Sequence, residues 1–214
     1  MASPYREDLW AESLADRAFL NRGGVSIFSF GVLEGDRVKL APLSLEHVRP
    51  LFDCSRDPAI WAAYPVRIER IEEIERFVRK ALDGRERGEQ YPYAVYDKAL
   101  GAYVGSTRFL RIAEEHRNLN IGSTWYSTEV WRTRVNTETK FLLLRHAFES
   151  IRAVRVEIVT STDNVRSQRA IERLGAIREG VLRKKYYGLD YVIYSIVGEE
   201  WPAVKSRLEG YLAT

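Results

Sequence analysis

The chain has 214 residues, with 33 Lys plus Arg against 30 Asp plus Glu for a formal net charge of +3, a near balance that excludes a strongly basic nucleic-acid arm. Hydrophobic residues make up 45% and charged residues 29%, enough for a sizeable core and without the signature of disorder. Cys54 is the single cysteine, which excludes an intramolecular disulfide framework and a multi-cysteine metal site.

Residues 1–24 mix charges with scattered Trp10, Leu14, Phe19 and Leu20 before the Gly23–Gly24 pair, and read as an N-terminal extension to a domain spanning 25–214. The opening MASPYREDLW lacks the apolar stretch of a signal peptide, and no apolar run approaches the ~18 residues of a membrane span. A cytoplasmic protein with no membrane or nucleic-acid partner is expected. The runs VSIFSF and DRVKLAPL read as strands. Ser44 then stands as N-cap for a helix over LEHVRPLFDCSRD that Pro58 stops, with Cys54 as a small buried side chain. In IERIEEIERFVRKALDG the apolar Ile71, Ile74, Phe77, Val78, Ala81 and Leu82 fall three and four apart, a second helix that Gly84 ends.

YPYAVYD, AYVGSTRFLRI and NLNIGSTWYS are rich in β-branched and aromatic residues and predict an antiparallel meander with turns at Gly101 and AEEHR. A helix beginning near Asn136 carries Phe141, Leu144, Phe148 and Ile151 on one face, widened by Leu143 and Ala147. VRVEIVTS follows as a strand, and DNVRSQRAIERLG as a capped helix whose Gly175 suits a left-handed terminus. EGVLRKKYYG and DYVIYSIV predict a hairpin, and EEWPAVKSRLEGYL a closing helix. This order is that of one mixed α/β sheet covered by helices.

Several chemistries lack their motif: there is no GxGxxG after a strand, no phosphate loop, no GxSxG elbow and no HExxH. His47, His116 and His146 stand alone, so no metal is expected. Two segments rise above the background. In NIGSTWYSTEVWRTRVNTETKFLLLRHAFE a strand and short turn lead into a helix, whose first N–H groups can hold an anion such as pyrophosphate beside Arg132 and Arg134. The plain alternative is that Asn136 caps the helix and the arginines are solvated. In TSTDNVRSQRAIERLGAIREG, Asp163 or Asn164 caps a helix with Ser167 in its first turn, a commonplace arrangement taken alone.

Taken together, WRTRVNTETKFLLLRHAFE, DNVRSQRAIERLGAIREGVLR, DYVIYSI and EEWPAVKSRL resemble the GCN5-related N-acetyltransferases (GNAT), in the branch of the ribosomal-protein N-acetyltransferases, over about residues 33–212. The resemblance implies an α/β fold: one mixed, mostly antiparallel sheet with two splayed central parallel strands and helices on both faces. NIGSTWYS and VRVEIVTS match the splayed pair, whose exposed edges would bond the pantetheine arm of acetyl-CoA. It also implies that the pyrophosphate lies over the backbone of Arg132, Thr133, Arg134, Val135, Asn136 and Thr137. Where the superfamily usually has a glycine-rich turn, this chain has Trp131, Arg132, Arg134 and Asn136. Asn120 stands where the branch often carries a glutamate, and the hairpin between Arg183 and Asp190 is shorter than is usual there.

The implied activity is acetyl transfer from the thioester to a primary amine, a protein N-terminal α-amine or a small molecule, by direct attack. That chemistry needs a neutral amine, a polarised carbonyl and a partner for the leaving thiolate. Asp190 and Glu129 are the candidate bases, each with a solvated turn residue as the plain alternative. Strand-edge N–H groups near Trp125 and Tyr126 would polarise the carbonyl. Ser167 would meet the thiolate, with Asn164 positioning the pantetheine. The two aromatics could also line the acceptor pocket, although large aromatics in strands are usually core. The competing class is a CoA-binding regulatory module without turnover, and a homodimer stays open as the assembly.

Overall fold

Burial with a period of two is clearest in VKLAP and RVEIVTS, where Val38 and Leu40, then Val156, Ile158 and Thr160, are buried and their neighbours less so. In the computed structural model, which describes residues 30–62, 64 and 67–213, both runs belong to an eight-stranded sheet. Its strands are β1 (Leu33–Glu34), β2 (Val38–Pro42), β3 (Gln90–Asp97), β4 (Ala102–Ala113), β5 (Asn118–Tyr126), β6 (Arg155–Ser161), β7 (Ile177–Tyr186) and β8 (Leu189–Val197). Their spatial order is β1-β2-β3-β4-β5-β6-β8-β7. Every neighbouring pair is antiparallel apart from β5 and β6, which run parallel. The turn between β7 and β8 is Tyr187–Gly188, both at positive φ, the geometry that suits a two-residue hairpin.

Among the described residues five α-helices cover the sheet: α1 (Val48–Cys54), α2 (Ile71–Glu86), α3 (Val135–Arg145), α4 (Val165–Leu174) and α5 (Trp201–Ala213). Leu51 of α1 and Ile74, Val78 and Ala81 of α2 pack with Leu43, Ala94 and Trp125 in one core. Phe141–Leu144 of α3, Ile171 and Leu174 of α4 and Trp201, Val204 and Leu208 of α5 pack with Val38, Tyr93, Phe109, Val156 and Tyr194 in a larger one. Because alternate strand residues feed the two cores, helices lie on both faces, and the expected mixed α/β class is the one observed. Strand VSIFSF, apart from Phe30, and the extension over 1–24 lie outside the described residues.

Local readings differ at three helices. The segment after Ser44 forms a 3-10 turn, Leu45–His47, before α1, and α1 ends at Cys54, short of Asp57. There Ser55 turns back to donate its hydroxyl to the Phe52 carbonyl at 2.9 Å, and Asp57 caps the next turn by accepting from the Ala59 N–H. Gly84 does not end α2, which runs on to Glu86. A Cβ at Gly84 would fall 1.9 Å from the Gln90 amide nitrogen, so this glycine makes room for a side chain, and the left-handed residue beyond the helix is Gly88. α3 starts at Val135 and continues as a π turn over His146–Ser150. Cys54 is half-buried, and burial pushes its thiol up to about 12.

Candidate active site at the parting of two strands

β5 and β6 are registered over three pairs, Asn118 with Arg155, Leu119 with Val156 and Asn120 with Glu157. Beyond them β5 runs on to Tyr126 and β6 to Ser161 with no pairing between the two. The parting follows from a kink in β5, where the register with β4 shifts between Ser106 and Arg108 and Ser123 lies at φ 47°. Gly105 of β4 permits the close approach that results, since a Cβ there would meet the Trp125 carbonyl oxygen at 2.1 Å. On the side turned away from β4, the backbone polar groups of residues 121–126 of β5 thus face no neighbouring strand, the arrangement that an extended ligand completes by hydrogen bonding.

Side chains gather around this edge. The Tyr64 hydroxyl donates to the Thr124 carbonyl, and the Trp131 indole donates to the Tyr126 carbonyl at 3.1 Å. Arg166 of α4 stacks 3.8 Å over the Trp131 ring, which ties the start of α4 to the turn before α3. On the side of the larger core, Lys140 of α3 reaches back to donate to Thr124 Oγ1 at 2.8 Å, and the Thr107 and Thr124 hydroxyls are 2.8 Å apart. Lys140 is 6% exposed, and burial pushes its ammonium down to about 7. On the other face, Arg108 of β4 lies over the Phe77 ring and donates to Gln90 Oε1 at 3.0 Å. Tyr64, Arg108, Lys140 and Arg166 carry no sequence signal of a site, since each sits in a run that reads as loop, strand or ordinary helix.

The residues expected over the pyrophosphate form the turn into α3 as one continuous stretch. Arg132 is exposed at φ 63°, the left-handed conformation that a glycine would adopt freely. Thr133 accepts from the Val135 N–H at 3.3 Å and donates to the Val130 carbonyl, so it holds the helix start in place of Asn136. Arg134 points across to α5, donating to the Leu212 carbonyl at 2.5 Å. Thr137 is buried and accepts from Arg173 of α4 at 2.8 Å. Trp125 packs in the smaller core 5.2 Å from Trp61, and Tyr126 packs against the larger one, so the edge of β5 is offered by backbone.

At α4, Asn164 is the cap, its Oδ1 accepting from the Ser167 N–H at 3.0 Å. The Ser167 hydroxyl bonds to no described residue. Asp190 is tied into the β7–β8 hairpin: Oδ1 accepts from the Lys184 N–H at 2.9 Å, and the Lys184 ammonium is 3.4 Å away. Those contacts hold its carboxyl below the usual range and make it a poorer proton acceptor than a free carboxylate. Glu129 is exposed in the turn after β5, and its carboxylate bonds to no described residue. The structure therefore brings the turn before α3, the start of α4 and the open edge of β5 together, and leaves Asp190 committed to its own hairpin. Among the described residues no group of three or more His, Cys, Asp or Glu could hold a metal ion, and no helix is long and apolar enough to cross a membrane.

The model of the acetyltransferase (GNAT) domain family matches residues 37–177. The chain is 27% identical over 177 residues to the uncharacterised N-acetyltransferase YoaA of Bacillus subtilis (strain 168), a match covering 78% of this chain and 97% of that one. A GCN5-related N-acetyltransferase from Brucella melitensis, 26% identical, superposes with a TM-score of 0.81 over 90% of each chain. RimJ of Mycobacterium smegmatis, solved in complex with CoA-disulfide, shares the fold at a TM-score of 0.71 and 17% identity, covering 85% of this chain and 91% of that one.

Proposed function

Because this chain belongs to the GNAT acetyltransferase family, we propose that it moves an acetyl group from acetyl-CoA to a primary amine by direct attack at the open edge of β5. The observation that carries the reading is the parting of β5 from β6 after Asn120, beside the turn into α3. An extended pantetheine amide fits an unpaired strand edge, and the diphosphate fits the first N–H groups of α3, where the helix dipole and Arg132 favour negative charge.

In this reading the free amine attacks the thioester carbonyl carbon, the carbon–sulfur bond breaks, and the acetyl group stays on nitrogen. N–H groups of β5 near Trp125 and Tyr126 polarise the carbonyl, in a site where fixed dipoles need no reorganisation. Glu129 takes the amine proton through water, and the Ser167 hydroxyl, which has no partner within the described chain, donates to the departing sulfur.

The acceptor is a primary amine, and a panel decides its kind: N-terminal peptides, amino acids, polyamines and aminoglycosides, with thiol release and product mass as readouts. Acetyl-dependent thiol release with at least one of these amines is expected. CoA raising the melting temperature while none of them releases thiol would favour the rival reading, a CoA-binding module without turnover.

A further inference from the structure

Arg108 is 5% exposed, with its guanidinium 4.5 Å from the centre of the Phe77 ring and one nitrogen donating to Gln90. Its Nε and Nη2 have no partner among the described residues. Burial pushes the group down to about 10, so it is still a cation at neutral pH, and the desolvation is not offset by any anion bonded to it within the described chain. Buried charges in proteins are paired or serve a ligand.

The position of Arg108 says which ligand it would serve. In the β4–β5 register it faces Gly122, two residues before Thr124, whose carbonyl takes the Tyr64 hydroxyl. That hydroxyl lies within electrostatic range of Arg108, Arg166 and Tyr191, residues of β4, α4 and β8. Arg108 thus lies on the strand next to β5, one strand removed from the gap at which β5 and β6 part, on the face covered by α1 and α2, with its bonded nitrogen turned toward Gln90 of β3.

We propose that Arg108 is an anion subsite for the acceptor, and that the acceptor is an amine bearing a carboxylate. Nε–H and Nη2–H lie on one edge of the guanidinium plane and match the two oxygens of a carboxylate as a bidentate pair. The proposal deepens the acetyl-transfer reading and rests on it. Free amino acids and peptides beginning with Asp or Glu share the required chemistry.

The test uses the full chain with glycine, β-alanine, γ-aminobutyrate and peptides beginning with Asp or Glu, each compared with its carboxamide counterpart. In the binding arm, with CoA present, an acid but not its amide is expected to raise the melting temperature of the wild type. Arg108→Gln should abolish that shift, and Arg108→Lys should keep part of it. In the kinetic arm the wild type should favour the acid over the amide about a hundredfold in kcat/KM, and Arg108→Gln should bring the ratio near one. Equal response to acid and amide in the wild type, or an unchanged ratio in Arg108→Gln, overturns the subsite even where acetyl transfer occurs. Acid-specific stabilisation through Arg108 without thiol release would keep the subsite and overturn the transfer reading.

Discussion

Asn164 caps α4 through its own side chain, which leaves the Ser167 hydroxyl without a structural task. Ser167→Ala is therefore expected to leave the melting temperature nearly unchanged while lowering turnover by roughly tenfold to a thousandfold, the range for groups that act as charge develops. Asn164→Ala should instead cost about 1 kcal/mol of stability. Melting temperature and turnover measured on the same Ser167→Ala sample check this, and lost stability with unchanged turnover per folded molecule would contradict it. Lys140 makes a second prediction. Its folded value, about 7, lies below the ordinary 10.5, so between those values the unfolded chain binds more proton and stability rises with pH. Lys140→Met should remove this rise, seen as a wild-type-minus-variant difference that changes by up to ~1.4 kcal/mol per pH unit inside the window. A parallel pH dependence in the two proteins would mean that Lys140 is charged where it lies. Ser167 is visible in the sequence because a cap three residues before it marks a helix start. Lys140 and Arg108 are not, since a lysine in a helix and an arginine in a strand ordinarily reach solvent, and their burial is decided by contacts distant in the chain.

Three strands meet at Glu179. Arg155 of β6 pairs with both of its oxygens, at 2.7 and 2.5 Å, and Ser195 of β8 donates to it at 2.7 Å, which lowers the carboxyl to about 2. Stability from this cluster is present above the ordinary value of 4.5 and is lost as pH falls from there toward 2. Glu179→Gln should destabilise the protein at neutral pH, with the gap from wild type closing under acid in a denaturation series; a gap of constant size would show that the ion pair is not its source. The helices show what periodicity reads and what it misses. In α3 the apolar set Phe141, Leu143 and Leu144 is buried as the pattern requires, but so are Glu138, Thr139 and Lys140. Glu138 goes inside because its Oε1 accepts from the N–H groups of Arg37 and Val38 at 3.0 and 3.3 Å, a partner 100 residues away that no local pattern contains. Gly84 misleads for the same reason: the space it leaves is filled by Gln90 from the next strand.

At the scale of the molecule, the order of strands and helices is legible because turn residues and changes of hydrophobic period mark nearly every boundary. The parting of β5 and β6 is not legible from periodicity, since it depends on a kink at Ser123, a residue type with no strong preference for positive φ. Among the sequence signals, only the family resemblance implies it. Acetyl-CoA is proposed to lie along the unpaired edge of β5, and hydrogen exchange of the β5 amides with and without CoA tests this most directly. Added CoA should slow exchange at Thr124 and Tyr126 and in the turn into α3, while Asn118–Asn120, already beside β6, change little. Unaltered exchange along residues 121–126 under saturating CoA would contradict the assignment.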